Sequence, residues 1–187
     1  MSTRQRERAA VLIDGGYLRA ILRDSFQRAA IDFLAFSNEL CGERERFRTY
    51  YYICPPYQSE KPTPDERRRK SEMDKFLYNL SRLPRFQVRL GKLRKTRHPD
   101  RPFEQKGVDV WLSIDMTQLS ASHTVDHIVL VSGDSDFCPA VSIAKENMTL
   151  VTLVYHQGET SDELYNLCDE RIPITQQLID KVKLGVP

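Results

Sequence analysis

The stretch AAVLIDGG, residues 9–16, decides the fold class of this 187-residue chain. Its first five residues are apolar, and an aspartate and two glycines follow them directly. A short apolar run that stops at such a turn is typical of a strand buried on both faces of a sheet. The stretch therefore predicts a central strand that ends at Asp14.

Other runs with strand character follow along the chain, and stretches of helical composition separate them. Strands are expected over residues 9–14, 47–54, 86–93, 127–132 and 149–155. Helices are expected over residues 17–25, 31–41, 64–81, 106–121, 137–147 and 175–184. Such alternation implies parallel strands joined by crossover helices, which gives an α/β fold with three layers and a central, mainly parallel sheet.

Length and composition favour one domain over residues 1–187, with a core at about 9–174 and a C-terminal helix at about 175–184. A chain of this length buries an ordinary core without disulfides or a structural metal. The four cysteines form no C-x-x-C pair and are expected to be free thiols in a reducing compartment. Because there is neither a signal-peptide apolar region nor an 18-residue apolar run, we expect a soluble cytoplasmic protein without a membrane partner. The sequence leaves open whether the chain forms a homodimer.

The net charge of +2 hides a strong asymmetry along the chain. Residues 61–102 carry 14 basic and 5 acidic side chains, whereas residues 103–187 carry 5 and 13. The basic segment is a candidate for binding phosphates, and its alternative interpretation is a solvated helix face followed by an exposed loop over residues 94–102. The candidate side chains are Arg67, Arg68, Arg69, Lys70, Arg89, Lys92, Arg94, Lys95, Arg97 and Arg101.

Carboxylates follow two of the predicted strands at the point where each ends. Asp14 ends the first strand, and Asp134 and Asp136 come directly after the strand at residues 127–132. Asp109 lies in the first turn of a predicted helix. Because the carboxyl ends of parallel strands share one edge, we expect these acids to converge there. Each also has a simpler interpretation, since Asp14 and Asp134 are good helix caps and an acid in a first turn suits the helix dipole.

Converging carboxylates repel one another unless cations lie between them. No histidine or cysteine occurs in these motifs, so zinc is disfavoured, whereas oxygen ligands suit Mg²⁺ or Mn²⁺. A divalent metal beside a basic segment indicates a phosphodiester substrate that is hydrolysed at the metal.

Three motifs in this order resemble the NYN domain of the PIN-like nuclease superfamily, including its LabA-like group. They are VLIDGGYL at residues 11–18, KGVDVWLSIDM at 106–116 and LVSGDSDFCPAV at 130–141. The resemblance implies a PIN-like fold and RNA cleavage with magnesium or manganese. It also implies that Asp14, Asp109, Asp134 and Asp136 hold the metal and that Lys106 balances the acids or contacts a phosphate.

Two positions in these motifs need separate interpretation. Asp115 matches a family position, but it lies six residues past Asp109, some 240° around the helix, and we expect a structural role for it. Tyr17 stands where many relatives have asparagine, which changes a contact near the site.

The leading functional hypothesis is a metal-dependent endoribonuclease in which basic side chains of residues 61–102 grip the RNA. The alternative from another class is a regulatory module that keeps the fold and binds RNA or protein without cutting it. A Toprim-like phosphotransfer enzyme is disfavoured because no matching upstream glutamate motif is found, and the Walker and Rossmann glycine patterns are absent from the sequence.

Overall fold

A computed structural model describes residues 6–95 and 103–184 of the chain. Its central sheet has six strands in the order β3-β2-β1-β6-β7-β8, and every neighbouring pair is parallel. The strands of this sheet are β1 (Arg8–Asp14), β2 (Glu45–Ile53), β3 (Phe86–Leu90), β6 (His127–Val131), β7 (Leu150–Tyr155) and β8 (Glu170–Pro173). A separate two-stranded antiparallel sheet is formed by β4 (Lys92–Lys95) and β5 (Phe103–Lys106).

Helices cover both faces of the central sheet. They are α1 (Gly15–Asp24), α2 (Phe33–Cys41), α3 (Pro64–Ser81), α4 (Val108–Ala121), α5 (Cys138–Glu146), α6 (Asp162–Leu167) and α7 (Gln176–Val182). Helices α1, α2, α3 and α7 share one core with the sheet, and α4, α5 and α6 share the other. The predicted three-layer α/β architecture with a mainly parallel sheet is therefore confirmed.

Strand β1 lies in the middle of the sheet and contributes to both cores. Ala9, Val11 and Ile13 pack on one side, and Ala10 and Leu12 pack on the other. All five are 0% exposed, as the apolar run predicts for a strand covered on both faces.

The order of the strands places a topological switch point beside β1. From β1 the chain builds β2 and β3 on one side of the sheet and then returns to build β6 on the other side. The carboxyl ends of β1 and β6 therefore border the crevice in which open α/β sheets bind their ligands. Asp14 ends β1, and the segment after Val131 carries the other predicted acids.

Local sequence signals explain why α3 begins where it does. The Thr63 side chain accepts a hydrogen bond from the Glu66 backbone N–H at 3.2 Å, and the Glu66 carboxylate accepts one from the Thr63 N–H at 2.8 Å. This capping box, with proline at the first helical position, satisfies backbone groups that a helix end leaves unpaired. The predicted bounds of this helix, 64–81, are those observed.

The sequence prediction was wrong about the segment that follows β3. The predicted strand over residues 86–93 breaks at Gly91, and part of the predicted loop over residues 94–102 belongs to β4, which pairs with β5. Strand β8 was also missed. Charged residues have low strand propensity, and such short strands form only because a partner strand, distant in sequence, supplies the hydrogen bonds.

The four cysteines, all within the described residues, form no disulfides, as expected. Burial raises the pKa of both Cys41 and Cys168 to about 11, so these thiols stay protonated at neutral pH. None of the described helices combines the length and the apolar character that crossing a bilayer requires.

Candidate functional site

Asp14 connects strand β1 to helix α1 and caps that helix. Its Oδ1 accepts hydrogen bonds from the backbone N–H groups of Gly16 and Tyr17, at 2.9 and 3.1 Å. Its Oδ2 lies 3.5 Å from the hydroxyl of Ser132, which donates to it. The capping interpretation of Asp14 is thus correct, but capping uses one oxygen and leaves the other directed toward the end of β6.

The segment after β6 brings two more acids to the same edge. The buried Ser132 hydroxyl also accepts a hydrogen bond from the Asp134 backbone N–H, at 3.3 Å. Asp134 Oδ1 accepts one from the Asp136 N–H at 3.0 Å and so caps a short 3₁₀ turn at residues 135–137. Ser132 therefore links the ends of β1 and β6, and the carboxylates of Asp134 and Asp136 remain exposed.

Asp109 reaches this edge from helix α4. The helix begins after Gly107, whose φ of 88° lies in the left-handed region that glycine adopts without strain. No side chain caps this helix end, and Asp109 is the acid in its first turn. The arrangement is compatible with the helix-dipole interpretation, but the charges around Asp109 indicate a second role.

Three of the acids influence one another's surroundings through their charges, so they lie in the same part of the molecule. Burial raises the pKa of Asp14, hydrogen bonds from Tyr17 and Gly16 oppose that rise, and the charges of Asp109 and Asp134 add to it. Burial likewise raises the pKa of Asp109, and the charges of Asp134 and Asp136 raise it further. Among the side chains that the structure describes, none forms an ion pair with these four acids.

The donor chemistry of this edge fits a hard divalent cation, because carboxylates and a hydroxyl are oxygen ligands. Within residues 6–95 and 103–184, however, no group of three or more histidine, cysteine, aspartate or glutamate side chains is arranged to hold a metal ion. The acids thus share one electrostatic environment without forming a ready-made coordination shell.

Gly133 is required by a close approach between two backbone segments. A Cβ at this position would lie 2.1 Å from the Glu159 carbonyl oxygen and 2.7 Å from a ring carbon of Tyr17. The Gly133 carbonyl in turn accepts a hydrogen bond from the Ser161 N–H at 2.9 Å. A side chain at this position would therefore prevent the loop after β7 from docking here.

Tyr17 holds the same loop from the side of α1. Its hydroxyl accepts a hydrogen bond from the His156 N–H at 2.8 Å and shares another with the Thr160 hydroxyl at 3.1 Å. The loop lies about 140 residues further along the chain and carries no motif of its own, so this contact could not be predicted from the sequence. Tyr17 fixes the wall of the crevice rather than presenting its hydroxyl to a ligand.

Asp115 has a structural role, as expected. It is 4% exposed, accepts a hydrogen bond from the Tyr52 hydroxyl at 2.9 Å, and forms a two-bond ion pair with the Arg89 guanidinium at 2.9 and 3.0 Å. Arg89 also lies over the Trp111 ring, 5.0 Å from its centroid. Arg89, one of the candidate phosphate ligands, is therefore already paired with a buried carboxylate.

The other candidate basic residues lie at two places. Three of them, Arg67, Arg68 and Arg69, are exposed in the first turns of α3. The Arg68 guanidinium pairs with Asp65 at 3.0 Å, whereas no ion pair is found for Arg69 within the described part of the chain. The hairpin β4–β5 contains four more, namely Lys92, Arg94, Lys95 and Lys106. Arg97 and Arg101 lie outside the described residues.

The model of the NYN domain family matches residues 8–175, nearly the whole of the described chain. The chain belongs to the NYN family. This family is nuclease-related, its domains act on RNA, and its fold is PIN-like, so the family expected from the three motifs is confirmed.

Two curated proteins and one solved structure are similar to this NYN chain. An uncharacterized protein of Methanocaldococcus jannaschii is 35% identical over 78 residues, which are 41% of this chain and 32% of that protein. The low amplitude and bright protein LabA of Synechococcus elongatus is 31% identical over 90 residues, 47% of each chain. The matches thus span about a third and about half of these relatives. A crystal structure of a Vibrio parahaemolyticus protein of unknown function shares the fold, with a TM-score of 0.68 at 24% identity, and the match covers 98% of this chain and 100% of that one.

Proposed function

We propose that this NYN domain is a metal-dependent endoribonuclease that hydrolyses RNA phosphodiester bonds at Asp14, Asp109, Asp134 and Asp136. The observation that carries the proposal is that acids from three separate parts of the chain lie near the switch point, where burial and the charges of neighbouring carboxylates raise the pKa of Asp14 and of Asp109. Such repulsion opposes folding and is relieved when a cation binds between the carboxylates. It is therefore expected at a metal site and not at a purely structural cap.

In this proposal Asp14, Asp109 and Asp134 hold Mg²⁺ or Mn²⁺, and Asp136 assists them. A bound cation of this kind supplies an activated water and stabilises charge on a phosphoryl oxygen. The chain itself orients the carboxylates, since backbone N–H groups hold Asp14 and Asp134 and the Ser132 hydroxyl joins the two strand ends.

The topology supports a path for the RNA backbone on one side of these acids. Helix α3 follows β2, so its first turns lie toward the carboxyl edge of the sheet, and β4 leaves the same edge directly after β3. Strand β5 then ends just before α4, which carries Asp109. The elements on this side of the acids thus carry seven of the candidate basic residues, namely Arg67, Arg68, Arg69, Lys92, Arg94, Lys95 and Lys106. Arg97 lies in the sequence between β4 and β5. Their charges suit the binding of phosphates.

The test is RNA cleavage by the purified full chain, on single-stranded and structured RNA, with Mg²⁺ or Mn²⁺. The variants Asp14→Asn and Asp134→Asn keep a side chain that caps helices well, so their folds should persist while metal binding is lost. We expect their activity to fall by at least about a hundredfold, as for the loss of a group that stabilises the transition state.

Asp162→Asn is the control, because Asp162 is an acid at the start of a helix that lies outside the acid cluster. We expect it to cleave like the wild type. Equal cleavage by Asp14→Asn, Asp134→Asn and the wild type would show that the activity belongs to a contaminant and would reject the proposal.

A second candidate function is a module that binds RNA without cutting it. The observation that favours it is Tyr17, whose ring and hydroxyl fix the crevice wall at a position where many relatives have asparagine. RNA binding that survives Asp14→Asn, together with the absence of cleavage by the wild type in either metal, would support this second function.

A further inference from the structure

A groove of about 1160 Å³ lies beside the acid cluster, between α4, α5 and α6. Its floor and walls include Val110, Ile114 and Leu167, and Val110 and Ile114 are 60% and 40% exposed. Ligand sites in proteins commonly have volumes of roughly 300–1,000 Å³ with apolar walls, so the groove is large enough for a nucleotide. Two acids of the cluster, Asp109 and Asp136, form one end of it.

The polar groups of this groove select against a phosphate. Beyond Asp109 and Asp136 its lining carries a third carboxylate, Glu163, and no lysine or arginine is found among the lining residues that the structure describes. By contrast, a groove of about 820 Å³ along α3 is lined by three basic side chains, Arg67, Lys70 and Lys75, and by one acid, Asp74. Phosphates therefore belong on the α3 side, and the groove between α4 and α6 suits a neutral group with N–H donors.

We propose that the groove between α4, α5 and α6 binds a guanine base of the RNA next to the scissile phosphate. This inference rests on the proposed function. Apolar side chains cover the faces of the base, and Glu163 accepts hydrogen bonds from the guanine ring N–H and amino group. Guanine is the RNA base with a ring N–H beside an amino group, and a carboxylate accepts both bonds at once. In single-stranded RNA this edge of the base is open to a protein.

Neighbouring groups support this orientation. Asn166 lies one turn after Glu163 on α6, so the two side chains share a face of that helix. The Ser142 hydroxyl donates to the Cys138 carbonyl at 3.1 Å, which leaves its oxygen free to accept a bond from the base. Within the described part of the chain Glu163 forms no ion pair, so its carboxylate is available to a ligand.

The test measures binding of nucleosides to the metal-free full chain by NMR, because a nucleoside presents the base without a phosphate. We expect guanosine to shift the methyl signals of Ile114 and Leu167 and to bind about tenfold more tightly than uridine, the order of one two-bond contact. Inosine keeps the ring N–H but lacks the amino group and should be intermediate. Glu163→Gln should remove the preference for guanosine.

Ile114→Trp should fill the groove and weaken guanosine binding about tenfold. Ile143→Trp is its matched control, because Ile143 is 39% exposed on α5 and does not line the groove. Equal binding of guanosine and uridine, or equal effects of the two tryptophan variants, would overturn the proposal. If the wild type cleaved RNA but did not bind guanosine, only the guanine subsite would be rejected. If it bound guanosine but did not cleave RNA, the nuclease function would be rejected and the guanine subsite would remain.

Discussion

Helix α4 connects two regions that treat carboxylates in opposite ways. At the carboxyl edge of the sheet, burial raises the pKa of Asp109, and the charges of Asp134 and Asp136 raise it further. Less than two turns further along, Asp115 lies against β2 and β3 and is paired with Arg89. The ion pair of Asp115 stabilises the fold. At the carboxyl edge, by contrast, several carboxylates lie near one another, and none of them pairs with a basic side chain that the structure describes. This contrast is why we propose a ligand role for Asp109 and not for Asp115.

The largest effect is expected where the paired region is broken. Arg89→Met removes the guanidinium but keeps an apolar stem, which leaves the buried Asp115 carboxylate without its cation. Breaking a buried ion pair by removing one partner is strongly destabilising, so we expect the free energy of unfolding to fall by about 3 kcal/mol in urea denaturation.

Arg68→Met is the control for this prediction, because Arg68 forms an ion pair with Asp65 on the exposed face of α3. Exposed pairs contribute little, and we expect no measurable change. If the free energy of unfolding fell by the same amount in Arg89→Met and Arg68→Met, the ion pair of Asp115 would contribute no more than an exposed pair. Asp115 could then not be called the structural acid of α4.

A smaller effect is expected from the packing that shapes the carboxyl edge. Gly133→Ala would force a methyl group against the Glu159 carbonyl oxygen, and a backbone segment cannot yield as a flexible side chain does. We expect a loss of about 2 kcal/mol, typical of overpacking, measured by urea denaturation. Gly158→Ala in the same loop has open space but a φ of 86°, and should lose about 1 kcal/mol. The reverse ranking would contradict the close-approach explanation.

Tyr17→Phe tests the other contact of this loop. The variant keeps the ring beside Gly133 but leaves the His156 N–H without its acceptor. The expected loss is about 1 kcal/mol, the usual contribution of one hydrogen bond. Tyr78→Phe, at a tyrosine that is 63% exposed on α3, should leave the stability unchanged. An unchanged Tyr17→Phe would mean that Gly133 alone fixes the loop.

The sequence was sufficient to predict the parts of this fold that local patterns specify. The apolar run that ends at Asp14 predicted a central strand, and the capping box predicted the start of α3, because burial and backbone hydrogen bonding decide these features within a few residues. The expectation that Asp14 and Asp134 lie at one edge followed from a general property of parallel sheets, whereas Asp109 lies on a helix, to which that property does not apply.

Other features depend on contacts between distant residues and could not be predicted. The hairpin β4–β5 requires the pairing of residues 92 and 106, and the role of Gly133 depends on where the Glu159 carbonyl lies. The pairing of Asp115 with Arg89 joins a helix to a strand 26 positions away. Periodicity placed Asp115 away from Asp109, but only the fold shows which cation it meets.

The smallest effect, and the one that tests the comparison most directly, concerns the charge of Asp109 itself. Because its pKa is raised above the ordinary 3.8, the folded protein holds this proton at pH values where the unfolded chain has lost it. Stability therefore falls as the pH rises through that window. Without a cation, Asp109→Asn should therefore be more stable than the wild type at about pH 7. The difference should be at most about 0.5 kcal/mol, because an exposed charge is screened by solvent. At about pH 3 the two proteins should have the same free energy of unfolding.

Urea denaturation with and without Mn²⁺ completes this test. A cation that binds only the folded wild type stabilises it, so excess Mn²⁺ should make the wild type more stable than Asp109→Asn. Asp115→Asn should be destabilised under both conditions, because its partner Arg89 is part of the fold. If Asp109→Asn were instead the less stable protein without a cation, the charge of Asp109 would be stabilising helix α4 through its dipole. Both aspartates would then be structural, and the case for a metal at Asp109 would fail.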